Sequence, residues 1–417
     1  MTGARSRPII TVQVSTSAPT IAAPAPLTPP RVAPVDLLRG LVMVIMAIDH
    51  VRDFVHAGAM NFPPEDLAQT TAAIFFTRWI THFCAPVFMF CAGLGVWFRA
   101  ERRGTLEGLS SFLLTRGLWL IALEVAVVQT GLFFDFDRRL VFLLVFWALG
   151  MSMIALAALI HLPYRVLVAI SVGLIAFHNL ADGLQASRFG SFAWVWRVLH
   201  QQGVIVTGGP ALFVAYPLIP WIGVMAGGFC FGRIYRLPAE RRRRLLLTIG
   251  LLVTAAFLLV RGMNVYGDPR PWTAQPRPLF TLLSFLNCTK YPASLSFLLM
   301  TLGPALVLLG LMDGARPRER NPLLVFGRVP LLYFVLHIPL AHAIAVGLTA
   351  LRYGHAPFLW LPPPSLGTPR LTFPPDYGFD LWVVYAVTAV VVALLYPICR
   401  WFGRLKARRR EWWLSYL

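Results

Sequence analysis

Apolar runs of membrane length alternate with short polar stretches from residue 36 to residue 402. They fall at about 36–56, 71–98, 110–133, 139–160, 164–185, 211–232, 243–262, 291–312, 323–350 and 380–402. Each is near or above the ~20 residues that cross ~30 Å of hydrocarbon. This pattern predicts an all-α polytopic membrane helix bundle of about ten transmembrane helices, spread over residues 34–403. Residues 1–33, rich in Pro, Thr and Ala, read as a disordered cytoplasmic tail with no signal peptide. Residues 404–417 read as a basic cytoplasmic end. The stretch 189–200 (FGSFAWVWRVLH) is too short and mixed to span and reads as interfacial or re-entrant. Segments 263–290 and 351–379 are Pro-rich, aromatic connections.

Composition fixes the class. Only 13% of residues are charged, against roughly 25% in a soluble domain, and 57% are hydrophobic. The formal net charge of +19 does not point to nucleic acid, because the arginines collect in short clusters between apolar runs. Alternate loops carry 22 basic residues on the N-terminal side, including Arg241–Arg244, against 10 on the other. That bias predicts both termini on the cytoplasmic side.

The first run, DLLRGLVMVIMAIDHVRD (Asp36–Asp53), is apolar in its middle and ionisable at both ends. At ~100° per residue, Arg39 lies ~60° from Asp36 and His50 ~20° from Arg39, with Asp53 on the flank of the same stripe. Charged groups at membrane depth are costly and face a protein interior or a wet cavity. Asp49 and Arg52, at i,i+3, are placed to neutralise each other. The second run adds Arg78 and His82 at i,i+4, and the ninth adds His337 near mid-membrane. His50, His82 and His337 are candidates to converge on one outer-half cavity, with Glu124 at similar depth. A neutral imidazole beside a carboxylate is a suitable general base near pH 7. Arginines can grip a phosphate or carboxylate through two hydrogen bonds.

The bland readings compete with these. Arg78 can snorkel to the interface, and His50 can serve as an inter-helix hydrogen bond. The five cysteines lie in or beside apolar runs and form no CxxC pair. Cys84 and Cys91, about 10 Å apart on one helix, are too distant for a disulfide. No zinc or calcium ligand spacing, phosphate-binding glycine loop or nucleophile elbow is present in the sequence. No bound metal is therefore expected.

Five stretches taken in order resemble the heparan-α-glucosaminide N-acetyltransferase family and its bacterial relatives. They are the opening run, THFCAPVFMFCAGLGVWF (Thr81–Phe98), YPLIPWIGVMAGGFCFGR (Tyr216–Arg233), KYPASLSFLLMTLGP (Lys290–Pro304) and FGRVPLLYFVLHIPL (Phe326–Leu340). The resemblance implies a ten- or eleven-span acyltransferase using acetyl-CoA or a similar acyl-CoA from the cytosol. The acceptor would be an extracytoplasmic carbohydrate, reached across a bacterial inner membrane. The family's chemistry is attributed to a His in the loop before the second span. That His does not transfer, since alignment puts Asn61 or Ala72 there, with His56 and His50 nearest.

On this basis His50 is expected to act as base, oriented by Asp53 or another carboxylate, with His82 as second base or acyl carrier. Arg39 and Arg328, with Asp36, would serve the CoA phosphates. Asp49, Arg52, Arg78 and His337 would line the site, and Lys290 and Tyr291 its outer mouth. Two other classes stay open: a transporter of a small anionic or lipid-linked solute, and a structural membrane protein. Lipid is the expected surrounding, nucleic acid is not a partner, and the oligomeric state, including a homodimer, is left open.

Overall fold

The computed structural model describes residues 32–134, 139–206, 208–360, 372–409, 411 and 414. The expected N-terminal tail, up to residue 31, and most of the residues beyond Arg409 lie outside these. The chain is helical, and one helix holds the centre. α1 (Ala33–Val55) opens with Pro34 in its first turn, where a missing N–H leaves no bond unmade. It packs against α2 (Ala72–Thr81), α3 (Cys84–Arg103), α12 (Leu295–Met312), α13 (Pro322–Arg328), α14 (Pro330–Tyr353) and α15 (Leu381–Arg408). Around these stand α4 (Leu109–Leu123), α5 (Gln129–Phe133), α6 (Val145–Leu159), α7 (Tyr164–Phe177), α8 (Ala193–Leu199), α9 (Ile219–Phe231), α10 (Ala239–Met263) and α11 (Pro278–Leu286). α10 pairs with α12, α4 with α6, and α9 with both α3 and α7.

Among the described residues, seven helices are long and apolar enough to cross a membrane: Ala72–Arg103, Leu109–Phe133, Tyr164–Ala181, α10, α12, α14 and α15. The chain is a multi-pass membrane protein on that ground. The other three expected spans are helical but different in kind. α1 has the length and carries Asp36, Arg39, Asp49, Arg52 and Asp53, whereas α6 and α9 have 15 and 13 residues.

Two expected spans begin as strands, which corrects the all-α expectation. β1 (Leu140–Leu143) pairs in parallel with β3 (Ala211–Val214), and β3 pairs antiparallel with β2 (Gly203–Ile205). Short apolar runs such as LVFL and ALFV carry no period that separates strand from helix, so they merge with the helices that follow. The stretch 189–200 forms a short 3-10 turn and α8, the segment 263–290 contains α11, and the basic C-terminal end is helical as far as Arg408. All five cysteines are free and buried.

α13 is seated by its own sequence. The Asn321 side chain accepts from the N–H groups of Leu323 and Leu324 at 2.9 and 3.3 Å, and Pro322 follows it. The helix then crosses α1 with the backbones touching. A Cβ at Gly40 would meet the Leu323 carbonyl, and one at Gly327 would meet that of Asp36. Gly40→Ala and Gly327→Ala are each expected to destabilise the bundle by about 1–3 kcal/mol through overpacking. Heating detergent-purified protein checks this, since an unchanged Tm in both variants contradicts the tight crossing.

Candidate active site

The C-terminal half of α1 carries a chain of alternating charges. Arg52 sits between Asp53, at 2.6 Å, and Asp49, at 3.0 Å. Asp49 in turn accepts from Arg78 at 2.5 Å, and the other side of Arg78 donates to Glu65 at 2.7 Å. His82 closes the series, 3.4 Å from Glu65 and packed against Phe297. The bland expectation of a self-neutralised Asp49–Arg52 pair is too small: Arg78 from a second helix and Glu65 from a loop join it. Three carboxylates meet two guanidinium groups, and Lys290 supplies further positive charge at the cavity they line. Alternation keeps each buried ion beside an opposite one, which is the condition for tolerating charge away from water.

Beside this network, His50 Nδ1 lies 2.7 Å from His337 Nε2, the ring centroids 4.9 Å apart and the planes within 17° of each other, as in an in-plane hydrogen bond. Nδ1 of His337 lies 2.6 Å from the Phe334 carbonyl and 3.2 Å from that of Tyr333. Carbonyls only accept, so His337 carries its proton on Nδ1 and its Nε2 is an acceptor. His50 must then donate through Nδ1, which leaves its Nε2 with a lone pair. The expected orientation of His50 by Asp53 or another carboxylate is thus corrected: His337 holds the ring, and the Asp53 carboxylate is engaged by Arg52.

Asp49, His50, Arg52, Asp53, Glu65 and Arg78 line a cavity of about 1130 Å³. Lys290 and Tyr291 line it too, as do Phe142, Val204 and Phe213 of the sheet. The loop bearing Lys290 and Tyr291 is fixed from behind. Asp268 accepts from the Thr289 N–H, the Thr289 hydroxyl and the Ser294 hydroxyl at 2.7–2.8 Å. Buried Arg261 donates to the carbonyls of Ser284, Phe285 and Asn287, which fill the end of α11. Asn287 reaches the Glu65 carbonyl at 2.9 Å, joining this loop to the network.

Not every expected residue reaches the cavity. His82 is buried behind Glu65 and Arg78 and is absent from its lining. Asp36 and Arg39 pair at 3.0 Å at the opposite end of α1. Arg328 belongs to the helix packed on that end and lies 3.9 Å from Glu319. His56, the nearest loop histidine, is bridged to Phe379 through its backbone and is buried. Asn61, one alignment choice for the family's histidine, does line the cavity.

Two lining carboxylates, Glu65 and Asp66, fall outside the expected site set, and a third, Glu124, is expected there only by its depth. Glu65 lies in a loop with no periodic signal. Glu124 starts a π-helical turn, Glu124–Val128, and its carboxylate accepts from the N–H groups of Phe146 and Trp147 at 2.7 and 3.1 Å. Those are free donors at the start of α6, a natural anion seat. A polar residue inside an apolar run was the available signal.

A multi-pass helical membrane protein, with a charge-lined cavity built against its first helix, is the class that fold and site define together. Residues 31–265 match the family described as heparan-alpha-glucosaminide N-acetyltransferase, catalytic, and the chain belongs to that family. The matched stretch holds α1 to α10, and so the whole charge network, while His337, Lys290 and Tyr291 lie beyond it. No curated protein matches the chain.

Burial would raise the Glu65 carboxyl, but Arg78 and His82 hold it well below the usual carboxylate range. With a folded value below the unfolded one of about 4.3, its contribution is present above that value and is lost as pH falls through the folded one. Glu65→Gln is expected to lower Tm at neutral pH and to flatten the acid side of a Tm–pH profile. An acid limb identical to that of the parent protein counts against this network.

Proposed function

We propose that the chain is an integral membrane acyltransferase moving an acetyl or similar acyl group from acyl-CoA to a hydroxyl or amine of an extracytoplasmic sugar or glycan. It would work in a bacterial plasma membrane with both termini on the cytoplasmic side. The His50–His337 pair carries this reading, because it leaves a bare imidazole nitrogen on a ring that lines a large cavity bearing charged side chains.

In the proposed reaction Nε2 of His50 takes the acceptor's proton as the acceptor oxygen or nitrogen attacks the thioester carbonyl. The C–S bond breaks, CoA leaves as thiolate, and the proton on His50 passes to that sulfur. His337 accepts the Nδ1 hydrogen bond throughout, so the imidazolium that forms keeps its orientation. Arg78 and Lys290 would stabilise negative charge in the cavity. Asp53 and Asp49 position Arg52, while Glu65 and His82 position Arg78, making His82 a positioning residue. Tyr291 would contact the acceptor.

The donor's phosphates would be held at the other end of α1 by Arg39 and Arg328. Each has its Nε buried without a hydrogen-bond partner among the described residues. Eleven residues separate Arg39 from His50, about 16 Å along a helix, a gap suited to an extended pantetheine arm.

Incubating the purified protein with radiolabelled acetyl-CoA and a pool of amino sugars and glycans tests the reading. The parent protein should transfer label. His50→Ala should reduce transfer by about 10²–10⁴-fold, as loss of a general base does, and His337→Ala should lower kcat with little change in KM. Full transfer by His50→Ala sinks the assignment. Solute counterflow in liposomes without acyl turnover would mark a transporter instead.

A further inference from the structure

A second cluster of chemistry-bearing side chains lies outside the cavity, where α7 ends. His178 opens the 3-10 turn that finishes that helix, Asp182 follows one turn later, and His200 ends α8. One ligand atom from each of the three lies within 4.8 Å of the others. His200 Nε2 is 3.0 Å from Asp182 Oδ1. His178 and His200 are 6% and 3% exposed.

A structural hydrogen-bond pair explains only part of this. It accounts for His200 Nε2 and leaves His178 largely unexplained, since neither of its ring nitrogens makes a well-formed hydrogen bond and the Ala293 backbone offers only a loose contact. Nδ1 of His200 is unpartnered too. Buried polar groups are almost always satisfied, so two imidazoles this poorly bonded beside one carboxylate point to an occupant that takes one nitrogen from each. The surroundings supply an outer contact of the kind that orients metal ligands at Asp182. Asn179 Nδ2 donates to Asp182 Oδ2 at 2.8 Å, and Asn179 Oδ1 accepts from the Leu295 N–H at 2.8 Å. The Trp196 ring, 5.1 Å from that of His200 and stacked on Phe189, adds an apolar wall.

We propose that His178, Asp182 and His200 form a divalent transition-metal site of the zinc class. Two imidazoles and one carboxylate suit zinc, whereas calcium and magnesium favour all-oxygen sets. Zinc bonds of about 2.0–2.1 Å set tetrahedral ligands roughly 3.4 Å apart, so the His200–Asp182 pair opens slightly from 3.0 Å while His178 draws in from within 4.8 Å when the ion enters. A fourth position stays open for water.

The ion would tie the end of α7 to the end of α8. Gln202 and Val204, just beyond His200, line the large cavity, so the clamp would hold one of its walls. None of the three ligands lines the cavity itself, which makes the site separate from the His50–His337 pair.

The test uses full-length protein in detergent, stripped with EDTA and desalted. Zn²⁺ is then titrated against a chromophoric chelator, with metal content read by mass spectrometry. One zinc per chain is expected, together with a Tm that rises when zinc is added. His178→Ala and His200→Ala should weaken binding by more than the ~10–100-fold that outer contacts contribute. Asp182→Asn keeps the side chain's shape and should still lose most of the affinity. If the variants fail to purify, Co²⁺ bound to the parent protein decides, and the intense visible bands of a low-coordinate nitrogen–oxygen site are required. No zinc uptake by the parent protein, unchanged zinc content in all three variants, or Co²⁺ without those bands overturns the proposal.

Discussion

The alternation Asp53–Arg52–Asp49–Arg78–Glu65 is the constraint on which the rest of the bundle depends. Ions taken out of water are strongly penalised unless opposite charges and hydrogen bonds surround them. Here every carboxylate has a guanidinium and every guanidinium has two carboxylates. The network therefore demands that α1, α2 and the loop between them meet in one arrangement. Once they do, α1 must sit centrally, because its apolar middle and its charged end both need burial. The glycine crossing with α13 and the backbone bridge from His56 to Phe379 then fix its two ends.

The network and the histidine pair divide the work of the site. The charges fix geometry and potential around the cavity, and they are paired with one another. His50 is different, because its partner His337 is a neutral acceptor pinned by backbone carbonyls. That leaves one basic nitrogen uncommitted on a ring that lines the cavity. The separation explains why Arg52 and Asp53, adjacent to His50 in the chain, need not touch the reacting group.

How much of this was legible beforehand follows from distance along the chain. The Asp36–Arg39 and Asp49–Arg52 pairs were readable, because helical period is a local rule and both are i,i+3. The joining of Arg78 to Asp49 needs a second helix to arrive at the right depth, and Glu65 sits in a loop that no period reaches. His337 was placed near the site from its depth alone, yet its role as partner of His50 comes from the Phe334 carbonyl, which sequence cannot aim. The resemblance supplied the family but not the base, since the family's loop histidine is missing here. The strands were invisible for a different reason: four apolar residues are too few to show a period, and helices begin close after them.

Those strands carry a consequence of their own. In the order β1–β3–β2, only β3 is paired on both sides among the described residues. Open strand edges leave N–H and C=O groups that hydrocarbon cannot satisfy. One such group, the Phe142 carbonyl, is answered by the Gln129 side chain at 3.0 Å, and the remainder require water or protein. The sheet thus acts as a depth gauge that is independent of any count of arginines: lipid tails cannot press against its rims. Because Phe142, Val204 and Phe213 also wall the cavity, a solute that enters past them has a route to His50 that never crosses oil.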